Sequence, residues 1–152
     1  IRVIGIDHVL AGDELVEVIS HADVVVDGTD NFDARFEINR ACVAARRPLV
    51  TGAVVRYEGQ VSVFRLDHAD SPCYACLYAS IQEPPRNCSQ NGVLGSVAGI
   101  VGCIQATEVI KVLLGIGKPL TGRLLLVDAL NMEWHTVGLR KDPKCEVCGA
   151  GN

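Results

Sequence analysis

Two pairs of cysteines, each with C-x2-C spacing, constrain this 152-residue chain more than any other feature. They are Cys73 and Cys76 in PCYACL, and Cys145 and Cys148 in KCEVCG. Two such turns supply four thiolates, the ligand set of a closed structural zinc site. Disulfides or redox centres are the alternative, but a redox C-x2-C motif usually occurs once, so the matched pairs favour zinc. Because the pairs lie 69 residues apart, the metal would hold together two distant segments of the chain.

Length and charge restrict the remaining possibilities. With 49% hydrophobic and 21% charged residues, we expect residues 1–152 to form a single domain around one core. A net charge of -4 and the lack of a basic run argue against a nucleic acid or an anionic membrane as partner. Seven cysteines, four of them in C-x2-C pairs, fit a reducing cytoplasm better than a secreted disulfide scaffold. The opening IRVIGID, without an initiator methionine, indicates a fragment that begins at a strand.

The hydrophobic pattern alternates between strand and helix and predicts an α/β fold. We expect a Rossmann-like three-layer arrangement with a mainly parallel sheet, its C-terminal part held by the zinc site. An apolar run before GTDN is typical of a strand covered on both faces. A hairpin, or a strand with a tight bend, is expected after it, with the bend at Glu58 and Gly59. Strands are predicted at 1–6, 22–27, 49–50, 53–57, 60–66, 123–128 and 133–139, helices at 13–20, 32–46 and 92–114, and a loop at 80–90.

The longest predicted helix, 92–114, begins with sixteen uncharged residues. This run is shorter than the roughly 20 residues that cross a membrane, and charged residues follow it, so we interpret it as a buried or subunit-facing helix. Gly95, Gly99 and Gly102 would let another helix approach closely. Gly115 is expected to cap its C-terminus.

Asp30 is the first candidate for chemistry, because ligands of open α/β sheets collect beyond the carboxyl ends of strands. Its carboxylate could hold Mg2+ against a nucleotide phosphate. On position alone, capping of the following helix by Thr29, Asp30 or Asn31 is the more common use of such residues. Arg35 and Asn39, one helical turn apart, either line the same pocket or are solvated.

Cys88 is the second candidate, because Arg86 and the following helix N-terminus both favour its thiolate, a nucleophile. An inert loop cysteine is the equally weighted alternative. Cys42 and Cys103 fall within apolar helical patterns and are predicted to lie in the core.

Taken together, these strings resemble the ThiF/MoeB/HesA family of adenylyltransferases, the bacterial relatives of ubiquitin-activating enzymes. The resemblance follows nearly the whole chain in order, through ADVVVDGTDNFDARFEIN, PLVTGAVVRYEGQVSVF, PCYACL, NCSQNGVLGSVAGIVGCIQATEVIKVLLG, GRLLLVDALNMEW and KCEVCG. It implies a homodimer that uses ATP and Mg2+ to adenylate the C-terminal glycine of a ubiquitin-like sulfur-carrier protein.

Residue by residue, the resemblance assigns Asp30 to Mg-ATP, which reverses the capping preference, with Asn31 and Arg35 beside it. It assigns the four paired cysteines to structural zinc, and Cys88 to the cysteine that joins the carrier in ThiF-type members. The family's glycine-rich nucleotide loop, with its arginine and lysine, does not occur in this sequence. We therefore expect this chain alone to bind ATP poorly and not to turn over.

The two branches of the family differ in their carrier, and short strings point both ways. EPPRNC and Glu133-Trp134 resemble ThiF, whereas Asp128-Ala129-Leu130 and Asp142-Pro143 resemble MoeB, and we favour ThiF slightly. A non-catalytic, zinc-stabilised dimerisation or carrier-docking module is the alternative function. A dinucleotide-binding oxidoreductase has no G-x-G-x-x-G motif here to support it.

Overall fold

A computed structural model of the chain describes residues 1–78 and 92–149. Its elements are α1 (Gly12–Ser20), β1 (Val25–Asp27), α2 (Phe32–Ala45), β2 (Leu49–Val55), β3 (Glu58–Phe64), α3 (Tyr74–Tyr78), α4 (Gly95–Leu114), β4 (Arg123–Asp128) and β5 (Glu133–Gly138). The α/β class is confirmed. The predicted loop at 80–90 lies outside the described residues.

The described strands form one five-stranded sheet in the order β1-β2-β3-β4-β5. β1 and β2 run parallel, and each later pair is antiparallel. The expectation of a mainly parallel sheet therefore holds for the first pair and is corrected for the rest. The length of the connections explains three of the four pairings. α2 supplies the crossover that parallel neighbours need, whereas the short links from β2 to β3 and from β4 to β5 permit only antiparallel pairing. The connection from β3 to β4 is long and contains α3 and α4, so its length does not determine the direction of that pair.

Helices cover both faces of this sheet, which gives the predicted three layers. α1, α2 and α3 pack on one face around Leu49 and Phe64. α4 packs on the other face with Val50 and Val61. Leu49 and Val50 are consecutive in β2, and successive side chains of a strand point to opposite faces, so this strand is buried from both sides.

The hairpin between β2 and β3 bends at Arg56 and Tyr57, two residues earlier than predicted. Arg56 takes a left-handed conformation with φ 52°, as the first position of a two-residue hairpin loop requires. Gly59 lies within β3 instead, where a Cβ atom would come 2.6 Å from Cγ2 of Val101. Gly59 therefore allows α4 to pack closely against the sheet, and it is not part of the turn.

The first residues form no strand, contrary to the prediction for 1–6, and they are exposed. A strand needs a partner to satisfy its backbone groups, and none of the described strands pairs with this segment. Among the described strands, β1 has a neighbour, β2, on one side only, so it lies at the edge of the sheet. Val26 is 51% exposed, so the expectation of a strand covered on both faces is wrong there.

Of the described helices, α4 alone is long and apolar enough to cross a membrane by length and composition. Core helices of soluble proteins pass the same test, and the buried Gln105 and Glu108 hold one face of α4 against the protein. The opposite face carries exposed Ile110 and Leu113. Cys103 is also exposed, so its predicted place in the core is wrong, whereas Cys42 is fully buried as expected.

Candidate functional site

The four paired cysteines converge on one point, which we call the four-cysteine centre (Cys73, Cys76, Cys145 and Cys148). All four Sγ atoms lie within 4.8 Å of one another. The separations are 3.9 Å for Cys73 and Cys76, 3.7 Å for Cys73 and Cys145, and 3.5 Å for Cys76 and Cys148. Thiolates about 2.3 Å from a tetrahedral zinc ion lie about 3.8 Å from one another. The geometry therefore suits a metal ion of this kind.

Local backbone geometry forms both turns. The Cys76 N–H donates to the Cys73 carbonyl at 3.1 Å where α3 begins. In the second turn the Gly149 N–H donates to the Cys145 carbonyl at 2.8 Å. A Cβ atom at Gly149 would lie 2.5 Å from that same oxygen, so only glycine fits without rearrangement.

Burial favours the protonated form of the described thiols in this centre. It raises the pKa of Cys73 to about 11, and it raises that of Cys148 with help from Cys73 and Cys76. Burial acts in the same direction on Cys145, but backbone N–H groups of Cys148 and Val147 outweigh it and lower the pKa. A bound cation would replace the protons that the buried thiols hold at neutral pH, so metal binding would release them.

Asn39 supports this centre, a role the sequence did not predict. It is fully buried, its Nδ2 donates to Cys73 Sγ at 3.6 Å, and its Oδ1 accepts from the Tyr74 N–H at 2.9 Å. The expectation that Asn39 lines a pocket with Asn31 or is solvated is therefore wrong. The sequence signal was its position one turn after Arg35, but nothing in the spacing indicated that α3 covers this part of the helix.

A separate cavity of about 280 Å³ lies where β1 ends, between the sheet and α4. Asp30 and Arg35 both line it, together with Gly52 and Gln105. The Asp30 carboxylate is exposed, whereas Arg35 is 5% exposed. The structure thus brings together an accessible carboxylate and a guanidinium at the predicted edge of the sheet.

A short hydrogen-bonded turn presents Asp30. Asp27, at the end of β1, is buried, and its Oδ1 accepts from Thr29 N at 2.8 Å and Thr29 Oγ1 at 2.7 Å. Asn31 is the N-cap of α2, and its side chain accepts from Ala34 N at 2.8 Å. The capping alternative therefore applies to Asn31, which leaves the Asp30 carboxylate directed to solvent with one contact of 3.5 Å from Asn31 Nδ2.

Arg35 lies beside this turn, and its Nη2 donates to the Thr29 carbonyl. Tyr74, the first residue of α3, is buried and also carries a hydroxyl group. Burial, followed by the bond to Tyr78, raises the pKa of Tyr74, so its hydroxyl stays protonated. Arg35 was predicted as a site residue, but Tyr74 carried no signal apart from its place between two cysteines.

Gln105 also lines this cavity. Its Nε2 donates to the Asp27 carbonyl at 2.8 Å, which links α4 to the end of β1. A Cβ atom at Gly52 would lie 2.4 Å from the Gln105 side chain, so glycine leaves room for this link. The uncharged run around Gln105 predicts a buried helix, but it does not predict the contact with Asp27.

The other predicted site residues fall elsewhere. Cys88 lies outside the described residues, so its role stays a prediction. A larger cavity of about 600 Å³ between α2 and the second cysteine turn includes Cys148 but none of Asp30, Asn31 and Arg35. The four-cysteine centre and the Asp30 cavity are thus distinct places joined by α2.

Comparison with known proteins places these features in context. Residues 1–147 match the ThiF family. The sulfur carrier protein ThiS adenylyltransferase of Escherichia coli is 42% identical over 152 residues, which cover 100% of this chain and 60% of that protein. The molybdopterin-synthase adenylyltransferase of Escherichia coli is 39% identical over 149 residues, which cover 98% of this chain and 59% of that protein.

The solved structure of E. coli MccB with ATP is similar with a TM-score of 0.71 at 20% identity, covering 92% of this chain and 44% of that one. At this identity the likeness concerns the fold. The chain spans at most 60% of the curated relatives described here. A family match that includes the Asp30 turn, Arg35 and the first cysteine pair shows that the chain belongs to the ThiF family.

Proposed function

We propose that this chain is part of an adenylyltransferase that uses ATP to activate the C-terminal glycine of a ubiquitin-like sulfur-carrier protein. The observation that carries the proposal is the 42% identity, over the whole chain, to a protein named as the ThiS adenylyltransferase. The Asp30 cavity supports it, because it offers an oxygen ligand and a cation at the sheet edge where α/β proteins bind nucleotides.

In this proposal Asp30 holds Mg2+, for which an exposed carboxylate is a suitable ligand. The bound Mg2+ would neutralise phosphate charge. Arg35 lines the same cavity and would contribute a fixed positive charge, while Asn31 would orient the turn through its cap.

The reaction is a displacement at the α-phosphorus of ATP. A carboxylate oxygen of the carrier's terminal glycine forms a bond to phosphorus, and the bond from phosphorus to the bridging oxygen of pyrophosphate breaks. Pyrophosphate leaves with that electron pair, and the carrier becomes an acyl-adenylate. The chain's contribution is to position the phosphates and to hold opposite charge against them.

Further parts of the proposal extend beyond the cavity. Zn2+ is the metal we assign to the four-cysteine centre, on the sulfur separations. A homodimer through the exposed apolar face of α4 accounts for Ile110, Leu113 and Leu114 at the surface. Cys88 is proposed to join the carrier during sulfur transfer. A cytoplasmic location is part of the proposal because seven cysteines, four of them in C-x2-C pairs, fit a reducing compartment.

A non-catalytic dimerisation or carrier-docking module is the second candidate. One observation favours it: the four-cysteine centre has all four ligands within this chain, whereas the Asp30 cavity is open. Such a module would need the metal and the surface of α4 but would not need Asp30.

Carrier-dependent exchange of pyrophosphate into ATP tests the proposal. The assay uses protein from the complete gene, with ThiS-type and MoaD-type carriers offered separately. Asp30→Asn should reduce exchange by about 100-fold or more. Asp33→Asn, an exposed carboxylate in the first turn of the same helix, is the matched control and should leave exchange unchanged.

Exchange with only one of the two carriers would identify the carrier and therefore the pathway. Exchange that is equal in the Asp30→Asn protein and the parent would remove Asp30 from the site. If neither carrier supports exchange while both bind, the docking module is the better description.

A further inference from the structure

We propose that Asp27 is a positioning residue whose buried carboxylate fixes Thr29 and thereby holds Asp30 and Arg35 toward the same ligand. This inference rests on the proposed function, in which Asp30 and Arg35 bind Mg-ATP. It adds that the negative charge of Asp27 is needed for nucleotide binding and not for folding.

The first step is the way in which Asp27 itself is held. It is the last residue of β1 and is 1% exposed. Its carbonyl accepts from Gln105 Nε2 at 2.8 Å, which ties its backbone to α4. Its Oδ1 accepts from both the N–H and the hydroxyl of Thr29, at 2.8 Å and 2.7 Å. Asp27 is therefore a fixed point from which two bonds orient Thr29.

The second step leads from Thr29 to the two proposed ligand-binding groups. The Thr29 carbonyl accepts from Arg35 Nη2. That carbonyl belongs to the planar peptide unit that ends at the Cα atom of Asp30, so a change in its direction also moves Asp30. Asp30 and Arg35 line the same cavity of about 280 Å³. The orientation of Thr29 thus controls both the carboxylate and the guanidinium.

The third step concerns the charge of Asp27. Its second oxygen, Oδ2, is buried and accepts no hydrogen bond from the residues that the structure describes. An unpaired polar atom in the interior lowers the stability of the fold. Asparagine has nearly the same shape and offers the same Oδ1 acceptor without the charge. Folding alone therefore gives no reason for a carboxylate at this position.

Ligand binding does give a reason. Hydrogen bonds to an ionised acceptor are stronger than those to a neutral one, so the carboxylate holds Thr29 more firmly than an amide would. Its negative charge, three residues before Asp30, also attracts a divalent cation bound there. A buried charge that lowers stability while it improves a binding site is a known compromise in proteins.

The first test uses protein from the complete gene and compares Asp27→Asn with Asp23→Asn. Asp23 is an exposed carboxylate that precedes the same strand, which makes it the matched control. We expect Asp27→Asn to weaken Mg-ATP binding about tenfold, the typical effect of losing a hydrogen bond to a charged group. Its melting temperature without nucleotide should not fall. Asp23→Asn should change the affinity by less than about twofold.

The dependence on Mg2+ supplies a readout that a structural role would not change. Pyrophosphate exchange is measured at saturating ATP while the Mg2+ concentration is varied. Asp27→Asn should raise the half-saturating Mg2+ concentration several-fold, because it removes negative charge near the proposed cation. Asp23→Asn should leave this concentration as it is in the parent.

Variants of Thr29 test the connection to Asp27. Thr29→Val removes the hydroxyl donor and should weaken Mg-ATP binding several-fold, whereas Thr29→Ser keeps the donor and should recover most of that loss. Asp27→Asn and Thr29→Val affect the same hydrogen bond. Combining them should therefore weaken binding by clearly less than the product of the two single effects.

The inference is overturned if Asp27→Asn binds Mg-ATP and responds to Mg2+ as the parent does. It is also overturned if this variant melts well below the parent, which would make the role of Asp27 structural. Full multiplication of the Asp27 and Thr29 effects, or a Thr29→Ser protein as weak as Thr29→Val, would break the connection between them. A parent protein that does not bind Mg-ATP would instead remove the proposed function, so the two failures are distinguishable.

Discussion

The four-cysteine centre and the Asp30 cavity differ in how much of each the described chain supplies. The centre has four converging ligands and a fully buried supporting amide in Asn39. The cavity has one buried cation, Arg35, and an exposed carboxylate, Asp30, beside an edge strand. Both lie against α2, about one helical turn apart. The contrast suggests that substitutions at the centre act mainly on stability, and substitutions at the cavity mainly on ligand binding.

Cys145→Ser should have the largest effect. It removes one of four ligands, and because metal binding and folding are coupled, we expect a loss of at least about 3 kcal/mol of unfolding free energy. That corresponds to a fall in melting temperature on the order of 10 °C, measured with metal content. The control is Cys103→Ser, an exposed cysteine outside the centre. An unchanged melting temperature in a protein whose parent contains zinc would contradict a structural centre.

Asn39→Ala comes next. It leaves the buried Tyr74 N–H without its acceptor and removes the donor to Cys73, which should cost about 2–3 kcal/mol. Chemical denaturation measures the stability, and competition with a chelator measures the metal affinity. A loss of unfolding free energy below about 0.5 kcal/mol would mean that the Asn39 hydrogen bonds to Cys73 and Tyr74 do not stabilise the four-cysteine centre.

Gly52→Ala tests the packing between Gly52 and Gln105 at the Asp30 cavity. The added Cβ must displace the Gln105 side chain and break its bond to the Asp27 carbonyl, at about 1–2 kcal/mol. Gly138→Ala, in a strand with nothing within 4 Å of the added atom, is the control. If combining Gly52→Ala with Gln105→Ala costs the full sum of the single changes, the two residues do not interact as described.

Asn31→Ala should have the smallest effect, about 1 kcal/mol, because it removes a helix N-cap. Asn31→Asp keeps an oxygen acceptor and should retain most of the stability. Thermal melts of the two variants measure this difference. Equal losses in both would show that capping is not what Asn31 contributes, and a loss as large as that of Cys145→Ser would erase the contrast between the two regions.

The sequence predicted features that depend on near neighbours along the chain. The C-x2-C pairs, the α2 boundaries and the Gly115 cap each follow from residues within a few positions, and Gly115 takes the left-handed conformation expected of it. The joint pattern of strings also identified the family. These predictions needed no knowledge of which distant segments meet.

Long-range contacts were not predictable in the same way. Asn39 meets Cys73, 34 residues later, and Gln105 meets Asp27 across 78 residues. Gly59 was assigned to a turn because glycine favours turns, yet its role depends on how closely Val101 approaches. The sequence places Cys103 in the core because residues 92–107 carry no charge, and within such a run periodicity cannot indicate which face is covered.

The distance between the cysteine pairs has a consequence for biosynthesis. Cys73 and Cys145 are 72 residues apart, so at roughly 5–20 residues per second the ribosome releases the first pair several seconds before the second. During that interval the nascent chain offers two thiols, half of a coordination shell. Capture of an ion by all four thiols would therefore mark the moment when β4 and β5 have been made, and a translational pause between the pairs would lengthen the time in which the first pair can be oxidised.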